Sequence, residues 1–320
     1  MLEAITYKTD GMDIKEISLL NDIPKTKKII WIRAVNPDKK EVDIIINKLG
    51  WEKEDSEEVF DFLAEGDRPR LTKEDYIEII YSVPHYEDGD TTTEPIVIYL
   101  KDNFLITIER KRLKVCEQIY KAAKRNKMKF LFKKNNVLFL SELIDHINDQ
   151  FLANVNTISS RTDLIASKNK KMTTSQIEAI SSASTTLAFF NQAIMANIEV
   201  LNGLKKLYHK LFKKDDREIF NDIYFDALQI LDAEKVQREV IMNIFSLQNI
   251  ISNNHLNEFM KKLTSLALII MIPTLITGIY GMNINGLPVS DNTWSFPIVM
   301  GFMTVITVII FLIFKKIDWV

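Results

Sequence analysis

The chain has 320 residues, 43 acids against 41 Lys and Arg, and 47% hydrophobic residues, a composition that fits a folded body plus a membrane part and points to no nucleic-acid partner. The single cysteine, Cys116, excludes an internal disulfide, and four histidines without a CxxC pair offer no recognisable zinc site. The net charge of −2 conceals an asymmetry: beyond residue 263 the only charges are Asp291, Lys315, Lys316 and Asp318, so a charged body precedes an apolar tail.

The opening MLEAITYKTD contains acids and no apolar run of signal-peptide length, and a reducing cytoplasm suits residues 1–262. From there to about residue 110, β-branched runs alternate with turn residues. KKIIWIRAV at 27–35, YIEIIYSV at 76–83 and PIVIYL at 95–100 are predicted strands. Asn36, Pro37 and Asp38 form a helix start signal before EVDIIINKLGW, and SEEVFDFLA at 56–64 has helical spacing. Asp102 and Asn103 would turn PIVIYL back into FLITI at 104–108 as a hairpin. The mixture predicts an α/β layer domain.

After Pro95 no proline occurs until Pro273, and Gly203 is the only glycine between Gly89 and Gly278. Such a stretch is predicted helical, with breaks at 125–128, 168–174 and 213–216. The last helix would run from about 215 without a breaker to Pro273, roughly 85 Å at 1.5 Å per residue. Residues 263–280 and 296–314 are uncharged, and each has about the length that spans a hydrocarbon core of about 30 Å. Pro273 does not split the first, because spanning helices tolerate proline. Lys261 and Lys262 precede the first span, Lys315 and Lys316 follow the second, and the loop between has no Lys or Arg. The positive-inside rule then places both ends in the cytoplasm.

The expected architecture is an α/β cytoplasmic domain over 1–214, a helical stalk over 215–262, a transmembrane helix over 263–282, an external loop over 283–295, a second transmembrane helix over 296–314 and a basic cytoplasmic tail over 315–320. A hairpin of two spans can be a mere anchor. Against that, the stalk enters the membrane without a linker, and the first span is not uniformly apolar. Asn257, Met260, Thr264, Ala267, Met271, Thr274 and Gly278 recur at steps of three and four. Leu266, Leu268, Ile269, Ile272, Leu275, Ile276 and Ile279 occupy the other faces, where lipid would cover them. The stripe suits a pore lining and a helix-packing seam equally well.

At the outer end of the first span stand Tyr280, Gly281, Met282 and Asn283, followed by INGLP. A Gly-Met-Asn triplet that ends the first of two closing spans, with a Lys pair after the second, resembles the CorA family of magnesium transporters. The resemblance covers the whole chain in layout and is best from about residue 222 onward. It implies a homopentameric funnel: α/β domains in the cytoplasm, a stalk of long helices, a pore lined by the first span and an outer ring formed by the second. It also implies a selectivity filter at Gly281, Met282 and Asn283, with Met260, Leu263, Met271, Thr274 and Gly278 lining the pore. Here Leu263 takes the place that the stripe assigned to Thr264.

The ion chemistry fits these residue types. Mg2+ demands octahedral oxygens at about 2.0–2.1 Å and gives up water reluctantly. A ring of Asn283 carbonyls would accept hydrogen bonds from its water shell, whereas carboxylates would hold it too tightly to release. Rings of Met271, Leu263 and Met260 would be apolar constrictions that close by losing water, with the Thr274 hydroxyls as a second polar ring. No phosphate-binding string and no hydrolase motif is present, so neither an ATP-driven step, an organic cofactor nor an enzyme is expected. A divalent ion crossing about 100 mV gains roughly 4.6 kcal/mol, which directs flow inward.

The first half of the stalk is rich in acids, while 241–257 carries no charge. A solvated face explains the acids. The resemblance implies instead that Asp222 faces an acid on the neighbouring subunit, with cytoplasmic Mg2+ bridging them and favouring closure. Glu87 is the candidate partner, with Asp88, Asp90 and Asp226 as lesser ones. Tyr7, His85 and Tyr86 read as packing residues, and Trp294 as an interfacial anchor. Many relatives carry Met-Pro-Glu after the triplet. Here Leu287, Pro288 and Val289 stand instead, and Asp291 is the only charge in the loop. Asn-Gly-Leu-Pro is also similar to the zinc-transporting branch of the superfamily. Alternatives are therefore a transporter of zinc, cobalt or nickel, and a non-conducting membrane sensor of divalent cations.

Overall fold

The computed structural model describes every residue except 9–10, 51–54, 88, 126–131, 133–134, 167–171, 284–285, 290–292 and 320. It divides the chain into two units. One comprises Met1–Lys168 and Thr173–Met242, and the other is built on Asn243–Val320.

The first unit is a seven-stranded sheet with helices on both faces. Its strands are β1 (Leu2–Lys8), β2 (Gly11–Glu16), β3 (Ile30–Val35), β4 (Arg70–Lys73), β5 (Ile77–Glu87), β6 (Asp90–Lys101) and β7 (Phe104–Glu109), in the order β2-β1-β3-β7-β6-β5-β4. Only β3 and β7 pair in parallel. The crossover between them includes α1 (Lys39–Leu49) and α2 (Asp55–Glu65). Asp38 caps α1 in a capping box with Glu41, so the start signal read from Asn36 to Asp38 marks the true helix start. Side chains of α1 and α2, Val42, Ile45, Ile46, Val59 and Phe62, pack with Ile30, Ile32 and Ala34 of β3 and Ile106 and Ile108 of β7. Trp31 belongs to the opposite face and meets Phe139 of α4 (Asn136–Ala166) at 5.3 Å. Because both faces are covered, β3 is apolar almost throughout instead of alternating. The predicted hairpin forms, with Lys101 opposite Phe104 and Asp102 at φ 51°. β1, β2 and β4 were not among the predicted strands.

α3 (Lys114–Lys124) ends at the first predicted break, but α4 begins only at Asn136, beyond the expected 125–128; α4 ends and α5 (Thr174–Leu204) begins at the second. The third break differs. α5 stops at Leu204, before the expected 213–216, and α6 starts at Lys214. Gly203 brings the end of α5 so close to β4 that a β-carbon there would lie 2.7 Å from Leu71 Cδ2. Beyond it, Lys205 sits over the Tyr224 ring at 3.3 Å, a cation–π contact that a continuing helix need not make.

One contact explains how α5 docks. Beyond the reach of β4, the outward backbone of Ser82 on β5 has no neighbouring strand, and Asn197 of α5 replaces it. The Ser82 N–H donates to Asn197 Oδ1 at 2.8 Å, and Asn197 Nδ2 donates to the Ser82 carbonyl at 2.9 Å. Opposite Ser82 stands Pro95, which has no N–H to offer the ladder at that position. Asn197→Ala would strand two buried backbone groups, at about 1–3 kcal/mol each. We expect it to lower the thermal midpoint of the full-length protein by about 5–10 °C, measured by circular dichroism in detergent.

Of the three residues read as packing, Tyr7 is buried and His85 half-buried, but Tyr86 is 69% exposed. The Tyr86 expectation therefore fails within the chain: its side chain borders open grooves beside α3, α4 and α5 and does not pack into them.

α6 is a single helix of 67 residues from Lys214 to Tyr280, about 100 Å long, and continues through Pro273 as expected. The second unit contains its part from Asn243 onward and α7 (Ser295–Lys316).

Candidate ion pathway and regulatory acids

α6 carries the residues singled out for a pathway. Asn257, Met260, Leu263, Thr264, Ala267, Met271, Thr274 and Gly278 are all exposed on it. Ala267, Met271, Thr274, Gly278 and Met282 line one continuous shallow groove, joined by Ile270, Leu275 and Ile279. The periodic stripe is thus a coherent surface. Leu268, Ile269, Ile272 and Ile276 are less exposed, as are Val299, Met303, Ile306 and Ile310 on α7. These positions recur at helical spacing, so four of the α6 residues assigned to lipid are partly covered within the chain. Leu266, Leu275 and Ile279 are exposed, and Leu275 and Ile279, assigned to the lipid faces, border the same groove as the stripe.

The Thr274 hydroxyl donates to the Ile270 carbonyl at 2.9 Å, which leaves its oxygen lone pairs free to accept from outside the helix. At the end of α6, the Gly281 N–H donates to the Thr277 carbonyl at 2.8 Å, and that of Met282 to Ile279 at 3.2 Å. A β-carbon at 281 would lie 3.1 Å from the Thr277 oxygen, so glycine fits the tight last turn. Asn283 follows outside the helix and is exposed. Two contacts hold the loop behind it. Tyr280 Oη donates to the Pro288 carbonyl at 3.2 Å, and Ser295 Oγ to the Val289 carbonyl at 2.6 Å, with Val289 at φ 63°. Tyr280 was noted in sequence only for its place before the triplet, and Ser295 gave no signal. Lys261, Lys262, Lys315 and Lys316 are all exposed, and Trp294 is 69% exposed at the start of α7.

The acids lie in the first unit. Glu87 is half-exposed and already engaged: Lys111 Nζ bonds its carboxylate and reaches Glu94 at 3.1 Å. That hydrogen bond holds the Glu87 carboxyl below the usual range and so ionised. Nothing in the sequence pointed to Lys111, whose partners are set by strand register. Asp90 accepts from Ser182 Oγ at 2.8 Å. Asp222 and Asp226 are exposed on α6. Asp145 on α4, missed in sequence, has its pKa raised by burial and then by the nearby Asp149, Glu142 and Asp226 carboxylates. Among the described residues, no group of three or more His, Cys, Asp and Glu suited to a metal occurs within the chain. Asp88 and Asp291 lie outside the described residues.

Residues 26–316 match the family model of the CorA-like Mg2+ transporter protein. The chain belongs to the CorA family. It is 31% identical, over all of both chains, to the cobalt/magnesium transport protein CorA of Methanocaldococcus jannaschii. It is similar over its whole length to the complete structure of that organism's CorA magnesium transporter, with 29% identity, 99% of that chain covered and a TM-score of 0.87. A more distant structure, the cytoplasmic domain of ZntB from Vibrio parahaemolyticus, is 13% identical with a TM-score of 0.60 over 79% of this chain and 97% of that one, and shows the fold alone. The chain is a membrane protein of this family. α6 and α7 each contain a stretch long and apolar enough to cross a bilayer, and residues such as Leu266, Ile270, Phe296 and Phe302 are more than half exposed. The expected α/β domain, long helix and apolar closing helix agree with the CorA structure.

Proposed function

We propose that this chain is the subunit of a homopentameric channel through which hydrated Mg2+ enters the cytoplasm, driven by the membrane potential, with both chain ends cytoplasmic. The observation that carries this reading is the groove along α6 from Ala267 through Met271, Thr274 and Gly278 to Met282, which leads to the exposed Asn283. Copies of α6 around an axis would turn that surface inward. Leu247, Ile250 and Leu256 on the charge-free stretch, and Phe259 just beyond it, are each at least half exposed and would find their cover in neighbouring copies. Asn283 carbonyls would accept hydrogen bonds from the ion's water shell, and Met271, Leu263 and Met260 would form the apolar constrictions.

The test is Mg2+ entry into proteoliposomes at inside-negative potential, followed with an internal fluorescent indicator. Entry blocked competitively by Co2+ and Ni2+ supports the reading. No entry by folded protein after removal of internal Mg2+ overturns it in favour of a sensor, and entry of Zn2+ to the exclusion of Mg2+ in favour of a zinc transporter.

In the same proposal, cytoplasmic Mg2+ closes the channel by bridging Asp222 to Glu87 of a neighbouring subunit. Lys111 would compete for Glu87. Asp222→Ala is expected to raise the internal Mg2+ needed to halve entry, and Lys111→Met to lower it. Exposed charges are worth at most about 1 kcal/mol, so each shift should reach about fivefold at most. Shifts in the same direction would contradict the competition.

A further inference from the structure

We infer that residues 314–319 form a clamp whose Trp319 positions the inner end of the first span, an inference that rests on reading α6 as pore-lining. In the second unit Ser265 is the only buried residue among those described, at 0% exposure. Its hydroxyl lies 2.9 Å from the Lys262 carbonyl of its own helix and 3.2 Å from the Trp319 carbonyl. The single hydroxyl proton is shared between the two carbonyls, and its longer arm links the end of α7 to α6.

Trp319 is brought there by a specific helix ending. Asp318 takes the left-handed conformation, φ 52°. The Asp318 N–H then donates to the Lys315 carbonyl at 3.4 Å, and that of Trp319 to the Phe314 carbonyl at 2.9 Å. The Phe314 and Trp319 rings stack at 5.8 Å with 7° between planes. Paired backward bonds, a left-handed residue and an apolar contact across the turn are the parts of a Schellman ending, usually built on glycine or asparagine. The ending fixes where Trp319 points. It shares a groove with Asn257, Met260 and Thr264, expected to line the inner part of the pathway, and with Glu258 and Lys261 at the start of the span. Trp319 and Ser265 are thus positioning residues: they touch no ion and restrain the rotation of the helix that presents Met260 and Thr264.

The test uses the full chain in proteoliposomes, with hydrogen exchange of amides 317–319, thermal midpoint and Mg2+ entry read on the same preparations. Asp318→Gly and Asp318→Asn tolerate the left-handed conformation and should keep slow exchange and wild-type entry. Asp318→Val opposes it and should speed exchange about tenfold and change the entry rate, with the thermal midpoint unmoved. Ser265→Ala, which leaves the ending of α7 intact, should change entry about fivefold while Asp318 and Trp319 stay protected. If the glycine and asparagine variants behave like valine, the side chain and not the backbone conformation matters, and the clamp is wrong. Valine and alanine variants that transport like wild type also overturn it. A wild type that does not conduct overturns the pore reading and the positioning role with it, while the exchange pattern separately reports whether the clamp exists.

Discussion

Asn283→Ala is expected to reduce Mg2+ entry by at least about 30-fold while the protein stays folded and assembled. The side chain is exposed beyond the end of α6 and packs into no core, so its loss does not threaten the fold. Its effect falls on the ion. Mg2+ keeps its waters because stripping them is too costly, so the entrance can recognise it only by accepting hydrogen bonds from those waters. Each such bond is worth about 1 kcal/mol net, so losing even two from a ring of amides lowers occupancy of the entrance about 30-fold. Asn283→Asp separates recognition from release: a ring of carboxylates should bind Mg2+ more tightly and pass it more slowly. Entry is measured in proteoliposomes, with size-exclusion elution and thermal midpoint as controls. Undiminished entry through the alanine variant would remove Asn283 from the pathway.

Breaking the buried ion pair of the first unit should have the largest effect on stability. Arg33 on β3 is 1% exposed and Glu109 on β7 is fully buried. Arg33 Nε and Nη2 meet the two Glu109 oxygens at 2.6 and 3.0 Å, and Nη1 reaches Glu117 at 3.1 Å. Burial works against the Arg33 charge, but the Glu109 carboxylate outweighs it and raises the guanidinium's pKa above its usual value. Arg33→Met leaves the Glu109 charge buried without its partner, which costs about 3–5 kcal/mol against a total stability of about 5–15 kcal/mol. An apparent thermal midpoint lower by about 10 °C is expected for full-length protein in detergent. Arg33→Met combined with Glu109→Leu should recover only part of this. The second change removes the stranded charge but also the acceptor of the Leu113 N–H, at 2.9 Å, and orphans that donor. Recovery to the wild-type midpoint would show that the Leu113 bond contributes nothing.

Much of the fold was legible because its causes are local. The apolar runs at β3, β5, β6 and β7, the Asp38 start signal and the absence of breakers along α6 each act within a few residues, and each produced the expected element. β1, β2 and β4 escaped because each mixes charged with apolar residues and has no long β-branched run, and only cross-strand pairing makes them strands. The end of α5 was misplaced although Gly203 stands one residue before it; what the sequence could not supply is the close approach of Gly203 to Leu71, distant in sequence.

By itself the sequence determined the two apolar stretches, the triplet at the end of the first, the stripe on α6 and the charge-free helix before it, since each depends only on composition and helical period. The tertiary structure decided which partners those residues meet. Register places Lys111 against Glu87, the sheet buries Arg33 with Glu109, and two hydroxyls fold the loop back behind Asn283. The reason is physical: periodicity is a property of a helix or strand alone, whereas an ion pair or a side-chain hydrogen bond needs two groups within about 3 Å, and only packing brings distant residues that close.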